Sequence, residues 1–361
     1  MNLTTENFNA MYSDWLTPNT AVLGILLTMG TLGNSFALYL YIVRVPHTDE
    51  RFFIPYLGAV DLFVCLWSGT FAIILNFYRA DFPSAKLCKV MYFFSWGSIN
   101  YSALLLLIIA FHRYKKICRP VSLQWTKRKS RLAVGVAGFL SYLLTVPILV
   151  LFGERKGHII YTGTNVTLIT CNIMSFTREV SFYYLGFIIL YFIILMTLII
   201  ILYSLIGLTI FRTFRVIRAS RKVQNHITFD RGHESTISEV SNTTMEASMS
   251  TSKDVKKENQ TQIKNVIRKH VRQNFTGMFA AIIVFWVISY LPTITLIIIP
   301  AVKNSIEFWF HMDPVATNVL LFLDRAFLLN HVVNPFIYGY FDVGFRKEAA
   351  NLFCCHKMLA N

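Results

Sequence analysis

The chain has 361 residues, of which 55% are hydrophobic and only 15% charged, and its mean hydropathy is +0.51. A soluble domain must dress its surface with charge, so this composition excludes one and indicates an integral membrane protein. The net charge of +15 would suit a nucleic-acid binder, but the basic residues are sorted into particular loops, as membrane topology sorts them, and no nucleic acid is expected as a partner.

A spanning helix needs about 20 mostly apolar residues to cross roughly 30 Å of hydrocarbon. Seven stretches meet that need, at about 20–43, 52–78, 87–118, 132–152, 180–214, 267–302 and 313–340. Residues 1–19 form an N-terminal segment, and 216–264 a third connecting loop, Ser- and Thr-rich at 235–252 and expected to be largely disordered. The expected fold is all-α, a seven-helix membrane bundle in one domain, 20–340. In the tail, 341–361, Phe341, Phe345, Leu352 and Phe353 lie against Arg346, Lys347 and Glu348 at helical intervals, which predicts a short amphipathic eighth helix on the membrane surface.

Lys and Arg set the orientation, because short cytoplasmic loops retain them. Residues 1–19 contain neither, whereas Arg113, Lys115, Lys116, Arg119, Lys127, Arg128, Lys129 and Arg131 crowd one loop, and 212–222 with 253–272 crowd another. The N-terminus is therefore expected outside and the C-terminus in the cytoplasm, with the first span as signal anchor. Of the six cysteines, only Cys88 and Cys171 then face an oxidising compartment, so a disulfide is expected to join them. Cys354 and Cys355 are juxtamembrane candidates for S-acylation, with unmodified thiols as the alternative. Sequons at Asn2 and Asn165 face outside and are expected to carry glycan, unlike those at Asn100, Asn242, Asn259 and Asn274.

Polar groups inside a span are costly and mark functional sites. Asn34, Asp61, Asp324 and Asn334 are such groups. In the seventh span Asn330, Asn334 and Tyr338 recur every four residues and share a face. Pro335 there and Pro292 in the sixth span interrupt the backbone ladder and suit hinges. Arg113 lies twenty-five residues beyond Cys88, about 37 Å along a helix, so it reaches the opposite membrane boundary.

These residues together resemble the rhodopsin-like (class A) G protein-coupled receptors, from about residue 20 to 355. The resemblance rests on Gly33-Asn34, Ala59-Val60-Asp61-Leu62, Cys88 with Cys171, His112-Arg113-Tyr114, Tyr203, Pro292 and Asn334-Pro335-Phe336-Ile337-Tyr338. It implies a receptor in the plasma membrane that couples to a heterotrimeric G protein, with arrestin, a receptor kinase and membrane lipid as further partners. It also implies that Asn34, Asp61, Ser102, Asn330 and Asn334 form a polar network in which Asp61 holds a sodium ion; no other cofactor is expected. Arg113, Tyr114, Tyr203, Tyr290, Pro292, Pro335 and Tyr338 resemble the residues that rearrange on activation.

Departures from the family pattern matter. His112 stands where an acid usually precedes the arginine, so the carboxylate that would hold Arg113 in the resting state is missing, which predicts a raised ligand-free signal; Tyr290 replaces the usual tryptophan before Pro292. Leu328 stands where an opsin carries its retinal lysine, and Ser95 where amine receptors carry aspartate. Instead Tyr92, Ser95, Trp96, Phe71, Tyr183 and Tyr184 with Asp324 suit a peptide bearing a basic or amidated end, and alternation over 161–171 predicts a hairpin above them. A lipid or other small molecule is the alternative ligand. No phosphate loop, zinc motif or acid pair supports an enzyme, and no repeat or polar-lined helix face supports a transporter or channel.

Overall fold

The structure, a computed structural model, describes residues 4–122, 124–174, 178–233, 275–297 and 305–359. Cys354 and Cys355 lie in a described helix, but their side chains are outside the described set, as are Asn2, Asn242, Asn259, Asn274 and the 253–272 basic run.

The first nineteen residues hold an unpredicted helix, α1 (Thr5–Trp15), which begins where the Thr4 hydroxyl accepts the Asn7 N–H at 3.3 Å. Phe8 and Tyr12, four residues apart, bury one face of it, and Leu16 continues the stripe. After it come α2 (Thr17–Tyr39), ending in a π-turn at Leu40–Arg44, then α3 (Ile54–Phe77) and α4 (Ala85–Cys118). Helix α5 (Lys127–Thr145) starts earlier than the expected 132 because Thr126 caps it. It ends before 152 because Pro147 cannot continue the ladder, and the single turn α6 (Ile148–Leu151) delivers the chain to a hairpin.

That hairpin pairs β1 (Phe152–Tyr161) antiparallel with β2 (Thr164–Ile173), longer than the expected segment. Its two turn residues, Thr162 (φ 48°) and Gly163 (φ 78°), both have positive φ, which a two-residue type I′ turn requires. The Cys88–Cys171 disulfide ties β2 to the start of α4, and Ile169 exchanges backbone hydrogen bonds with Ala80 and Phe82 at 2.8 Å, adding a short third strand-like segment.

Helix α7 (Arg178–His233) runs into the segment read as a loop from 216; α8 (Phe275–Ile297), α9 (Ser305–Phe310), α10 (Pro314–Asp324), α11 (Phe327–Phe341) and α12 (Val343–Leu359) complete the chain. Helices α2, α3, α4, α5 with α6, α7 and α8 are long and apolar enough to cross a membrane, and the bent pair α10–α11 supplies the seventh span. The chain is a multi-pass membrane protein. Ile25, Leu32, Phe139 and Ile288 are each at least 60% exposed on these helices, the surface that lipid covers.

The seventh span breaks by 56° between α10 and α11, at Arg325 and Ala326 rather than at Pro335. Two contacts explain why Pro335 is absorbed. A proline withholds its N–H from the carbonyl four residues earlier, and that carbonyl, of His331, accepts instead from Asn34 Nδ2 at 2.8 Å. Gly33 makes room, since a Cβ there would stand 3.2 Å from the proline ring. Arg325, by contrast, is 5% exposed and its Nη1 reaches the side-chain oxygens of Asn19 at 2.7 Å and Asn76 at 2.8 Å, pulling the break toward α2 and α3.

The opposite end is closed by Asp342. Its carboxylate takes two bonds from Arg51, Nε at 2.8 Å and Nη2 at 2.7 Å, one from Tyr41 at 3.1 Å, and one from the Gly344 N–H at 2.8 Å that caps α12. Helices pack closely elsewhere through small residues: a Cβ on Gly97 would meet the Tyr142 ring of α5 at 2.4 Å.

Candidate functional site

A cavity of about 270 Å³ opens among α3, α4, α7, α8 and α10–α11 beneath the hairpin. Tyr92, Ser95, Trp96 and Asp324 line it, as does Phe71; all five belong to the set singled out from the sequence. Two others do not: Tyr183 is 81% exposed and faces away from the bundle, and Tyr184 donates its hydroxyl to the Leu144 carbonyl at 3.1 Å. Arg79, Arg155 and Arg325 also line the cavity, which the sequence reading missed. At its mouth the Arg79 guanidinium carbon lies over the Trp309 ring, 5.0 Å from its centroid, and the Trp309 carbonyl accepts the Tyr12 hydroxyl of α1 at 2.7 Å.

Tyr290 forms part of the floor and leads downward. Its hydroxyl lies 3.3 Å from His331 Nε2, and His331 Nδ1 lies 2.7 Å from Asp61 Oδ1. An ionised carboxylate only accepts, so toward an ionised Asp61 it is His331 Nδ1 that donates. Asn334 Nδ2 donates to the other Asp61 oxygen at 2.6 Å. Asp61, His331, Asn330, Asn334, Asn34 and Ser102 are all fully buried. Trp286, also fully buried, packs 5.4 Å from the Tyr290 ring, one turn below it.

Do these residues fit a sodium ion? Four buried oxygens, Ser102 Oγ, Asn330 Oδ1, Asn334 Oδ1 and Asn34 Oδ1, have no hydrogen-bond partner, and buried polar atoms are rarely left so. Neutral oxygens around one carboxylate suit a hard cation, so the donor chemistry fits. His331, absent from the expected set, takes one edge of the carboxylate.

At the other end of the bundle Arg113 is 2% exposed. Its Nη2 donates to the Glu50 carbonyl at 2.6 Å, and its guanidinium carbon lies 4.7 Å from the Phe279 ring centroid and 5.9 Å from that of Phe275, both on α8. Arg51 covers Phe275 from another side at 5.2 Å. With His112 in the acid's place, a loop carbonyl and two aromatic faces lie against Arg113. The Glu50 carboxylate pairs with Lys116 at 2.8 Å. Burial would raise this carboxyl, but the Lys116 hydrogen bond and charge, together with other contributions including Arg113, hold it below its ordinary value of 4.5.

Residues 33–338 match the family model described as 7 transmembrane receptor (rhodopsin family). The chain belongs to that family. Its members are receptors, not enzymes. The receptor is 27% identical over 154 residues to the neuropeptide S receptor of Mus musculus, 42% of this chain and 41% of the relative. It is 30% identical over 128 residues to the octopressin receptor of Octopus vulgaris, 35% and 30% of the two chains. With the cholecystokinin receptor type A of Rattus norvegicus it shares 29% over 126 residues, 34% and 28%. The matched segments thus span about two fifths or less of these relatives.

In the receptor, Asp61 is bonded directly by Asn334 and linked to Asn34 through His331, whereas Ser102 and Asn330 stand in the same buried layer with unpartnered polar atoms. The Tyr203 and Tyr338 hydroxyls are buried without a partner. Tyr114 and Pro292 are half-buried, and Pro335 is buried within α11. Asn165 is exposed on β2. The missed His331 carried a signal: a fourth polar residue beside Asn330 in an apolar span.

Proposed function

We propose that the receptor lies in the plasma membrane with its hairpin end outside, binds an extracellular peptide in the cavity, and activates a heterotrimeric G protein at the Arg113 end. One observation carries the reading: a cavity wall residue, Tyr290, is joined by His331 to the buried Asp61 network. A ligand that presses on Tyr290 differently in two states biases the equilibrium between them by its differential affinity. Release of Phe275 and Phe279 from the two arginines would let α8 swing and open the surface that the G protein reads. The name of the mouse relative, a neuropeptide receptor, supports a peptide.

Asp61, Ser102, Asn330 and Asn334 would hold a sodium ion, which supplies a positive charge to the buried carboxylate in the resting state. Exposed Arg212 and Arg215 at the far part of α7 suit anionic lipid and the G protein. Arrestin and a receptor kinase acting on the Ser- and Thr-rich segment, glycan on Asn2 and Asn165, and acyl chains on Cys354 and Cys355 complete the proposal. A peptide panel screened in cells with a promiscuous G protein reporter tests it. Activation by a peptide is the expected result; activation by lipids alone turns the reading to the small-molecule alternative.

A further inference from the structure

The charged groups lining the cavity are unbalanced. Among its described lining residues three are arginines, Arg79, Arg155 and Arg325, and one is an acid, Asp324. Asp324 is within electrostatic reach of both Arg325 and Arg79, so one acid is shared between two guanidinium groups. Neither arginine forms a direct ion pair with a described carboxylate. Arg325 spends Nη1 on two amide oxygens, which orient its charge without cancelling it. Arg79 is half-buried at the mouth, its guanidinium carbon 5.0 Å from the Trp309 ring centroid. A guanidinium resting over an aromatic face still has N–H donors for a planar anion.

We infer that the cavity takes a ligand by a carboxylate, with Arg79 as the group that receives it and Arg325 adding attraction from below. This reverses the sequence expectation of a basic or amidated ligand end: an ammonium entering here faces more guanidinium charge than the one acid, Asp324, can offset. The inference rests on the peptide reading above for the source of the carboxylate, a free C-terminus or an acidic side chain; a fatty acid offers the same chemistry.

The test uses three pools on cells carrying the full chain with a promiscuous G protein reporter. One holds peptides with free C-termini and one Asp or Glu. The second holds the same peptides amidated, with Asn or Gln in place of the acid. The third holds fatty acids beside their methyl esters. The expected result is activation by the acidic pool at least tenfold more potent than by its neutral counterpart. Arg79→Gln should erase that difference and Arg79→Lys retain part of it, at surface density matched by an N-terminal epitope. Equal or greater potency of the neutral pool overturns the carboxylate and leaves the peptide reading standing, and an undiminished preference in Arg79→Gln overturns the role of Arg79. Activity of fatty acids alone, with inert esters, upholds the carboxylate and overturns the peptide. Silence of every pool overturns both.

Discussion

Replacing Phe279 by Leu tests how the Arg113 end is kept shut. Leu keeps an apolar side chain on α8 but removes the aromatic face that lies 4.7 Å from the Arg113 guanidinium carbon. A desolvated cation–π contact contributes about 2 kcal/mol, and Arg113 is 2% exposed, so the full figure applies. If that contact exists only in the closed state, its loss multiplies the open-to-closed ratio roughly 30-fold, at about 1.4 kcal/mol per tenfold. Starting from an open population of about 1%, within the usual range for a minor state, the variant reaches about 20%. Ligand-independent nucleotide exchange in membranes, normalised to surface receptor, measures this. Phe279→Trp, which restores an aromatic face, should stay near wild type. A Phe279→Leu signal within twofold of wild type would refute the cation–π restraint.

Three further outcomes are expected. Sodium chloride should raise the thermal midpoint of the purified receptor above that in choline chloride, Asp61→Asn should abolish the difference, and His331→Ser should enlarge it by freeing one carboxylate edge; identical midpoints in both salts for all three proteins would remove sodium from the account. Asp342→Ala strands the Arg51 guanidinium and uncaps α12, and should cost about 3 kcal/mol, read as an early unfolding transition; an unchanged midpoint would show that the end closure carries little. Glu50 has a lowered folded pKa, so its contribution is present above the ordinary value of 4.5 and lost as pH falls through the folded one. The midpoint should therefore drop below about pH 4.5, less steeply in Glu50→Gln, and parallel curves would contradict the Glu50–Lys116 tie.

Seven spans were determined by the sequence alone, because burying apolar surface in lipid depends on local composition, and a run of about 20 such residues leaves no alternative. The hairpin, the eighth helix and the choice of Asp61 and Asn334 as polar groups within spans follow from equally local signals, alternation, helical spacing and a polar group where none is tolerated. Tertiary structure decided who meets whom. Pro335 looks like a hinge until Asn34, about 300 residues earlier, takes up its orphaned carbonyl, and the break falls instead where two distant asparagines hold Arg325. Nothing near residue 112 reveals that Phe275 and Phe279 replace the missing acid beside Arg113. The sign of the cavity likewise emerges only when arginines from the turn after α3, the hairpin and the α10–α11 break line one cavity with a single acid, because electrostatic balance is a property of distances in space and not of order along the chain.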